Sequence, residues 1–514
     1  MTILIQCFQT ATAIAIAVIL SAPSPALAGT GGSTADHGKF EALDRKFASG
    51  PEVTRACLAC HTEAAKQIHA TQHWTWDFVS PKTGQRLGKK NVINNFCIAA
   101  APNIAECSSC HVGYGWKDET FDFSSQENVD CLVCHDTTGT YSKKALRTPG
   151  GRKPNLKKMA QGVGPTSRRS CGACHFSGGG GKAVKHGDID PSLDHPDVFV
   201  DVHMDADGLN FTCATCHGAE NHAVAGSRYA AAGSDSHGID VPGRDDGNRA
   251  TCQSCHGARP MKDEKLNQHT DKIACQTCHI PEFSRGDYAT KTWWDWSTAG
   301  RLTAEGQPFT EEDEAGHEVY NSKKGDFRWR RDAIPEYVWF NGTAHYTLPG
   351  QSFDPAKVLS VNAFEGRPDD HESRIWPVKV MRGKQPYDAE SKTLAAVQTT
   401  GKDGYWKTFD WDTAIARGMA AMGEKFSGRY DFVETEMTWP IAHMVAPADE
   451  ALGCASCHAR DGRLAAVEGV YIPGRDSNRF LDMAGYALIV LTLAGVVLHG
   501  ALRVVFALRR RSRP

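Results

Sequence analysis

Eight times the chain repeats Cys-x-x-Cys-His. The copies are Cys57, Cys60 and His61; Cys107, Cys110 and His111; Cys131, Cys134 and His135; Cys171, Cys174 and His175; Cys213, Cys216 and His217; Cys252, Cys255 and His256; Cys275, Cys278 and His279; and Cys454, Cys457 and His458. Two thiols three residues apart can each add to a vinyl group of one porphyrin, and the His that follows then sits under the iron as an axial ligand. A CxxC pair alone would equally suit a zinc knuckle or a redox dithiol. Neither needs His at the next position, and all eight pairs have it. These residues predict eight covalently attached c-type haems, each with its iron.

Each motif His leaves one axial position open. A second His there makes an electron carrier, whereas a weak or missing second ligand lets the iron bind substrate. Fourteen of the 22 His lie outside the motifs, enough for bis-His ligation at most irons. The distal ligands predicted are His73, His186, His203, His222, His237, His269 and His443, most of them within a short loop of a motif. His37, His69, His195 and His345 stand in reserve. His69 and His73 are four apart on one helix face, so one of the two ligates. Seven distal His for eight irons leave one iron for chemistry. No CxxCK motif occurs, but Lys can ligate from the distal side as the neutral amine, which requires a pKa depressed by burial. Lys185, beside His186, is the candidate.

The elements that position these groups follow from spacing. Seven motifs occupy residues 57–279, 23 to 50 residues apart, which leaves room for a short helix and a loop each and little for sheet. The predicted fold class is mainly α with much irregular structure, a core built by the haems, and one C-terminal transmembrane helix. The expected segments are a signal peptide (1–28), an N-terminal segment (29–56) and a seven-haem domain (57–279). A Trp-rich wrapping segment with helices (280–453), the eighth motif with its linker (454–480), a membrane anchor (483–508) and a basic cytoplasmic tail (509–514) complete the chain. The Trp-rich segment holds Trp293, Trp294, Trp296, Trp329, Trp339, Trp376, Trp406, Trp411 and Trp439. It is expected to be mostly irregular until a helix near residues 412–426. Gly178–Gly181 reads as a plain turn, or as a loop able to cradle an anion.

The chain has 514 residues, a net charge of −3 and a pI near 6.7, which points to neither nucleic acid nor a strongly charged partner. Residues 11–20 are apolar and Ala26-Leu27-Ala28 forms an A-x-A cleavage site, although the n-region lacks Lys and Arg. Cleavage there removes Cys7 and leaves Cys97 as the one cysteine outside the motifs. Residues 483–502 are uncharged and long enough to span a bilayer, and Arg509, Arg510, Arg511 and Arg513 follow. Positive-inside logic puts this tail in the cytoplasm and the body in the periplasm, anchored to the inner membrane. His499 within the span either ligates a haem shared with a membrane partner or faces another helix.

Several local signatures accompany the motifs: His73-Trp74, the segment from Gly178 to Asp188 (GGGGKAVKHGD), Asp201-Val202-His203-Met204, Trp294-Asp295-Trp296 and His443-Met444-Val445. With eight CxxCH motifs and a long gap before the last, residues 36–475 resemble the octahaem tetrathionate reductase family, a relative of hydroxylamine oxidoreductases. The resemblance implies that the active haem is the one on Cys107, Cys110 and His111. It also implies that Lys185 is its distal ligand and that Asn94 and Cys97 stand nearby. The family pattern has an acidic residue three positions before that Lys; here Lys182 replaces a proton acceptor with a positive charge, which favours an anion.

The function expected is reduction of tetrathionate to two thiosulfates, with quinone-pool electrons delivered by a membrane donor such as a b-type cytochrome or quinol dehydrogenase. Cys97 could assist by thiol–disulfide-type exchange, with Lys182 or Lys185 stabilising the departing charge. Nitrite or hydroxylamine reduction at the same haem, and a non-catalytic electron-transfer module, are the alternatives. Residues 137–187 carry eleven Lys and Arg with no Asp or Glu. Such a stretch can focus an anionic substrate or pair with haem propionates.

Overall fold

The computed structural model describes residues 35–96, 98–147, 154–229 and 249–511. The expected signal peptide, Cys97 and His237 lie outside the described residues.

The motif-bearing part is built of short helices and loops. Cys57 ends helix α1 (Gly50–Leu58), and Cys171 and Cys174 lie on helix α2 (Arg168–His175). Other motifs occupy single turns, such as Leu132–His135, Cys213–Cys216 and Cys275–His279. Local hydrogen bonding starts these turns: Ser167 caps α2 through the Ser170 N–H at 3.1 Å, and Thr212 forms the same reciprocal box with Thr215. One turn brings residues i and i+3 to the same face, so both thiols of a motif point one way. Helices this short are not stable alone, and they depend on what they pack against. His69 and His73 do not share a helix, because the chain breaks between Ala64–His69 and Gln72–Thr75.

The expectation of a mostly irregular segment 280–453 is corrected by a nine-stranded mixed sheet. Its strands are β1 (Thr290–Asp295), β2 (Thr310–Glu312), β3 (Glu318–Asn321), β4 (Gly325–Arg330), β5 (Glu336–Phe340), β6 (Leu359–Ser360), β7 (Arg374–Asp388), β8 (Thr393–Leu394) and β9 (Tyr430–Pro440). The order is β6-β9-β7-β1-β4-β3-β2, with β5 and β8 also pairing with β7. β7 and β9 run antiparallel from Val378↔Pro440 to Asp388↔Tyr430, and β7 runs parallel to β1.

The period-2 signal in β9 is clear: Val433, Thr435, Met437 and Trp439 are buried and alternate with more exposed residues. β7 disguises itself, because Pro377, Pro386 and Gly383 are residues that normally argue against a central strand. Gly383 is needed there: a Cβ would meet the Trp294 carbonyl oxygen of β1 at 2.1 Å. Trp294 and Trp296 stack at 5.0 Å inside the core of this sheet. Helix α3 (Trp411–Ala421), capped by Asp410, packs Trp411, Ala414, Ile415 and Met419 onto it at helical spacing.

Helix α4 (Arg479–Arg511) has 33 residues and a mean hydropathy of 2.2 in its most apolar window, and its large apolar side chains are exposed. Among the described residues it alone is long and apolar enough to cross a membrane.

Candidate functional site

Six motif histidines each face a second histidine. Ring centroids are 6.2 Å apart for His61 and His37, 6.3 Å for His175 and His73, and 6.4 Å for His135 and His222. They are 6.0 Å apart for His256 and His203, and 6.1 Å for both His217 with His443 and His458 with His269. A first-row metal–imidazole bond is about 2 Å, so two imidazoles on opposite sides of one metal have centroids roughly 6 Å apart.

The nitrogens agree with that spacing. Among motif histidines, Nδ1–H donates to the carbonyl of Gly164 from His135 (2.9 Å), of Ala225 from His217 (2.9 Å) and of Pro473 from His458 (3.2 Å). Among the facing histidines, Nδ1 of His222 meets Gln67 Oε1 at 2.7 Å, that of His269 meets the Lys265 carbonyl at 2.7 Å, and that of His443 meets Asp188 Oδ2 at 3.0 Å. Occupying Nδ1 in this way fixes the tautomer and leaves Nε2 as the ligating nitrogen. The residues therefore fit haem iron at six positions.

Of the distal candidates, His73, His203, His222, His269 and His443 face a motif histidine, and His37 from the reserve does so too. His186 does not: its ring lies edge-on to Trp439 at 4.9 Å, and burial holds it neutral. His69 stacks on Trp74 at 4.4 Å, His345 pairs with Glu365, and His195 is exposed. No second histidine faces His111 or His279 among the described residues.

The motif thiols show which motifs adjoin. Cys57 meets Cys131, Cys110 meets Cys174, Cys171 meets Cys213 and Cys252 meets Cys275 in direct side-chain contact. Cys134 with Cys171, Cys216 with Cys255, and Cys278 with Cys457 are close enough to act on each other electrostatically. The first and third motifs are thus neighbours, the third through eighth follow in sequence order, and the second attaches to the fourth.

His111 differs from the other motif histidines. Its ring is buried among Trp74, Trp76, Trp116, Phe121 and Phe123, and Nε2–H donates to the Trp74 carbonyl at 2.7 Å. Nδ1 is the nitrogen without a partner. Burial lowers His111 to about 4, so the imidazole is in the neutral form that metals bind.

Lys185 acts electrostatically on both the second motif, at Cys110, and the fourth, at His175. Cys174 draws the Cys110 thiol down to about 5, and the ammonium groups of Lys89 and Lys185 add to the pull. Lys185 Nζ stands over Trp439, 5.2 Å from the ring centroid. The Gly178–Gly181 turn lies along the Lys185 stem: a Cβ on Gly179, where φ is +75°, would meet Lys185 Cδ at 3.4 Å and Phe96 Cβ at 3.5 Å. Asn94 Oδ1 accepts from the Phe96 N–H at 2.9 Å, and the Asn94 N–H donates to the Ile98 carbonyl at 2.6 Å. Phe96 in turn packs against Trp439 at 5.8 Å. Lys182 is exposed, over Tyr288 at 5.3 Å.

The sheet anchors this corner. Buried Lys379 of β7 donates to the Val184 carbonyl (2.8 Å), the Lys185 carbonyl (3.2 Å) and Thr290 Oγ1 (2.6 Å), while Thr290 of β1 donates to the Ala183 carbonyl (2.6 Å). Sequence reasoning missed Lys379, Asp188 and Trp439, whose partners lie far along the chain.

Several basic residues of the 137–187 stretch have structural partners. Lys143 donates to the His111 and Gly113 carbonyls, Lys157 pairs with Asp44, and Arg168 binds the Phe211 and Asp194 carbonyls.

Residues 56–136 match the family described as cytochrome c554 and c-prime, and residues 291–461, most of the sheet region, match the family of bacterial cytochrome c. An uncharacterised protein of Archaeoglobus fulgidus is 26% identical over 270 residues, covering 41% of this chain and 89% of that protein. The solved octahaem cytochrome c of Shewanella oneidensis is 42% identical with a TM-score of 0.74, over 84% of this chain and 96% of its own. With axial-type histidine pairs behind CxxCH motifs and a fold shared at this identity, the chain is a redox protein carrying covalent c-type haem, and it belongs to the octahaem family of multihaem c-type cytochromes.

Proposed function

We propose that the protein is a periplasmic, membrane-anchored oxidoreductase with eight haems that reduces tetrathionate at the second motif, with Lys185 as the distal ligand. One observation carries this reading: six motif histidines have a facing histidine, His111 and His279 have none among the described residues, and of those two motifs only the second has Lys185 acting on it. When bound, the haems would supply one-electron transfer, and Cys107, Cys110 and His111 would hold the one nearest Lys185.

The contacts between motifs support a route for electrons. It would start at the eighth motif, which precedes α4 in the chain, and pass through the seventh, sixth, fifth and fourth to the second. Bacterial c-type cytochromes are generally periplasmic, which agrees with α4 as an anchor and with a quinol-oxidising membrane partner as donor.

Tetrathionate is a dianion with a central S–S bond, and two electrons convert it to two thiosulfates. The Cys97 thiolate would attack one central sulfur, forming an S-thiosulfonate and releasing one thiosulfate; two electrons then restore the thiolate and release the second. Lys182 would hold the departing negative charge.

Six histidine pairs also suit a second reading, an electron conduit with no chemistry of its own. Lys185→Ala separates the two. The oxidoreductase reading expects a new high-spin signal in the electron paramagnetic resonance spectrum and loss of tetrathionate turnover, and an unchanged spectrum with unchanged turnover would contradict it.

A further inference from the structure

Two cations share the indole of Trp439. Lys185 Nζ lies 5.2 Å from the ring centroid and the Arg228 guanidinium 4.7 Å. Arg228 is half-buried, stacks over Tyr229 at 4.6 Å and donates from Nη2 to the Tyr229 hydroxyl at 2.5 Å. No carboxylate pairs with it among the described residues. Trp439 itself is 1% exposed, and its Nε1–H has no hydrogen-bond partner there. Tyr346 packs on Tyr229 with ring centroids 5.5 Å apart.

A guanidinium is charged at every accessible pH and presents a rigid fork of donors that fits oxyanions bidentately. Partly withdrawn from water and with no carboxylate beside it among the described residues, it gains from an arriving anion. Cation–π contact with Trp439 and Tyr229 orients Arg228 but leaves donors unspent.

We propose that Arg228 is a substrate-binding residue that clamps oxyanions on the Trp439 face, beside Lys185. This rests on the assignment of Lys185 to the active haem and names the substrate class of that site: sulfur or nitrogen oxyanions in preference to uncharged molecules. A porphyrin propionate shares the same carboxylate-type chemistry, and the experiment separates the two.

The detergent-solubilised full-length holoprotein is compared with Arg228→Gln and Arg228→Lys, using tetrathionate, nitrite and hydroxylamine, the last uncharged near neutral pH. Arg228→Gln is expected to raise KM for the two anions about tenfold or more, the scale of a lost hydrogen bond to a charged group, with little change in kcat or in KM for hydroxylamine. Arg228→Lys should recover part of the loss, and haem midpoint potentials should stay at wild-type values. An equal effect on hydroxylamine overturns the clamp. So does a shifted haem potential with unchanged KM, which would place Arg228 on a propionate. Should the wild type reduce none of the three, the proposed function fails by itself, and Arg228 is judged by calorimetric binding of thiosulfate. Binding lost in Arg228→Gln sustains the clamp; equal binding, or none to the wild type, overturns it.

Discussion

Lys379 holds Lys185 in place from the sheet: its Nζ donates to the Lys185 carbonyl at 3.2 Å and to the preceding Val184 carbonyl at 2.8 Å. The backbone of a ligand candidate is thus fixed by a strand whose contact is 194 residues away in sequence. Replacing Lys379 with Met leaves both carbonyls without their partner. The expected cost is about 1–3 kcal/mol of stability, together with slower tetrathionate reduction, read by denaturant unfolding and steady-state assay. Unchanged stability and rate would show that the clamp holds nothing.

The same lysine makes stability depend on pH. Burial lowers Lys379 from 10.5 to about 7, with Asp188 partly opposing. Between those values the unfolded chain binds a proton that the folded chain has released, so this group's contribution to stability rises with pH across the window and is flat below it. Unfolding free energies of wild type and Lys379→Met at a series of pH values from 6 to about 10 should diverge by this slope. Parallel curves would contradict it.

The axial pairs predict separate spectroscopic outcomes. His73→Ala, His222→Ala and His443→Ala should each convert one low-spin haem to high spin in the electron paramagnetic resonance spectrum. His186→Ala should leave the low-spin count unchanged, because that ring packs on Trp439 and faces no motif histidine among the described residues. A lost low-spin signal in His186→Ala would reverse this assignment.

What the sequence makes legible follows from how local each signal is. The CxxCH turns are set by i, i+3 spacing, whereas His222 and His269, though near motifs in the chain, face the distant His135 and His458. The sequence already prefers His73 to His69, and the chain break after His69 removes only the shared helix face; His37 ranks low beside histidines with clearer signatures. The sheet was hidden by Pro377, Gly383 and Pro386 in its longest strand, although Val433, Thr435, Met437 and Trp439 carry an alternation that a period-2 count finds. Lys379 and Arg228 could not be singled out, because each acquires its role from residues distant in sequence.

Asp188 orients His443 through Nδ1 at 3.0 Å and also accepts the backbone N–H groups of Ala442 and His443. Such a carboxylate raises the basicity of a ligating imidazole and favours the oxidised metal. Asp188→Asn should therefore raise the midpoint potential of the haem at His217, measured by spectropotentiometry. A potential at or below wild type would remove Asp188 from that role.

The central claim is a substrate-reducing site at the second motif. The most direct test mixes the fully reduced holoprotein with tetrathionate in a stopped-flow instrument and follows re-oxidation at the haem α-band. The account predicts fast, saturable oxidation that is abolished in Lys185→Ala and in Cys97→Ser. Failure of tetrathionate to oxidise the wild type, or oxidation that persists in both variants, would contradict it.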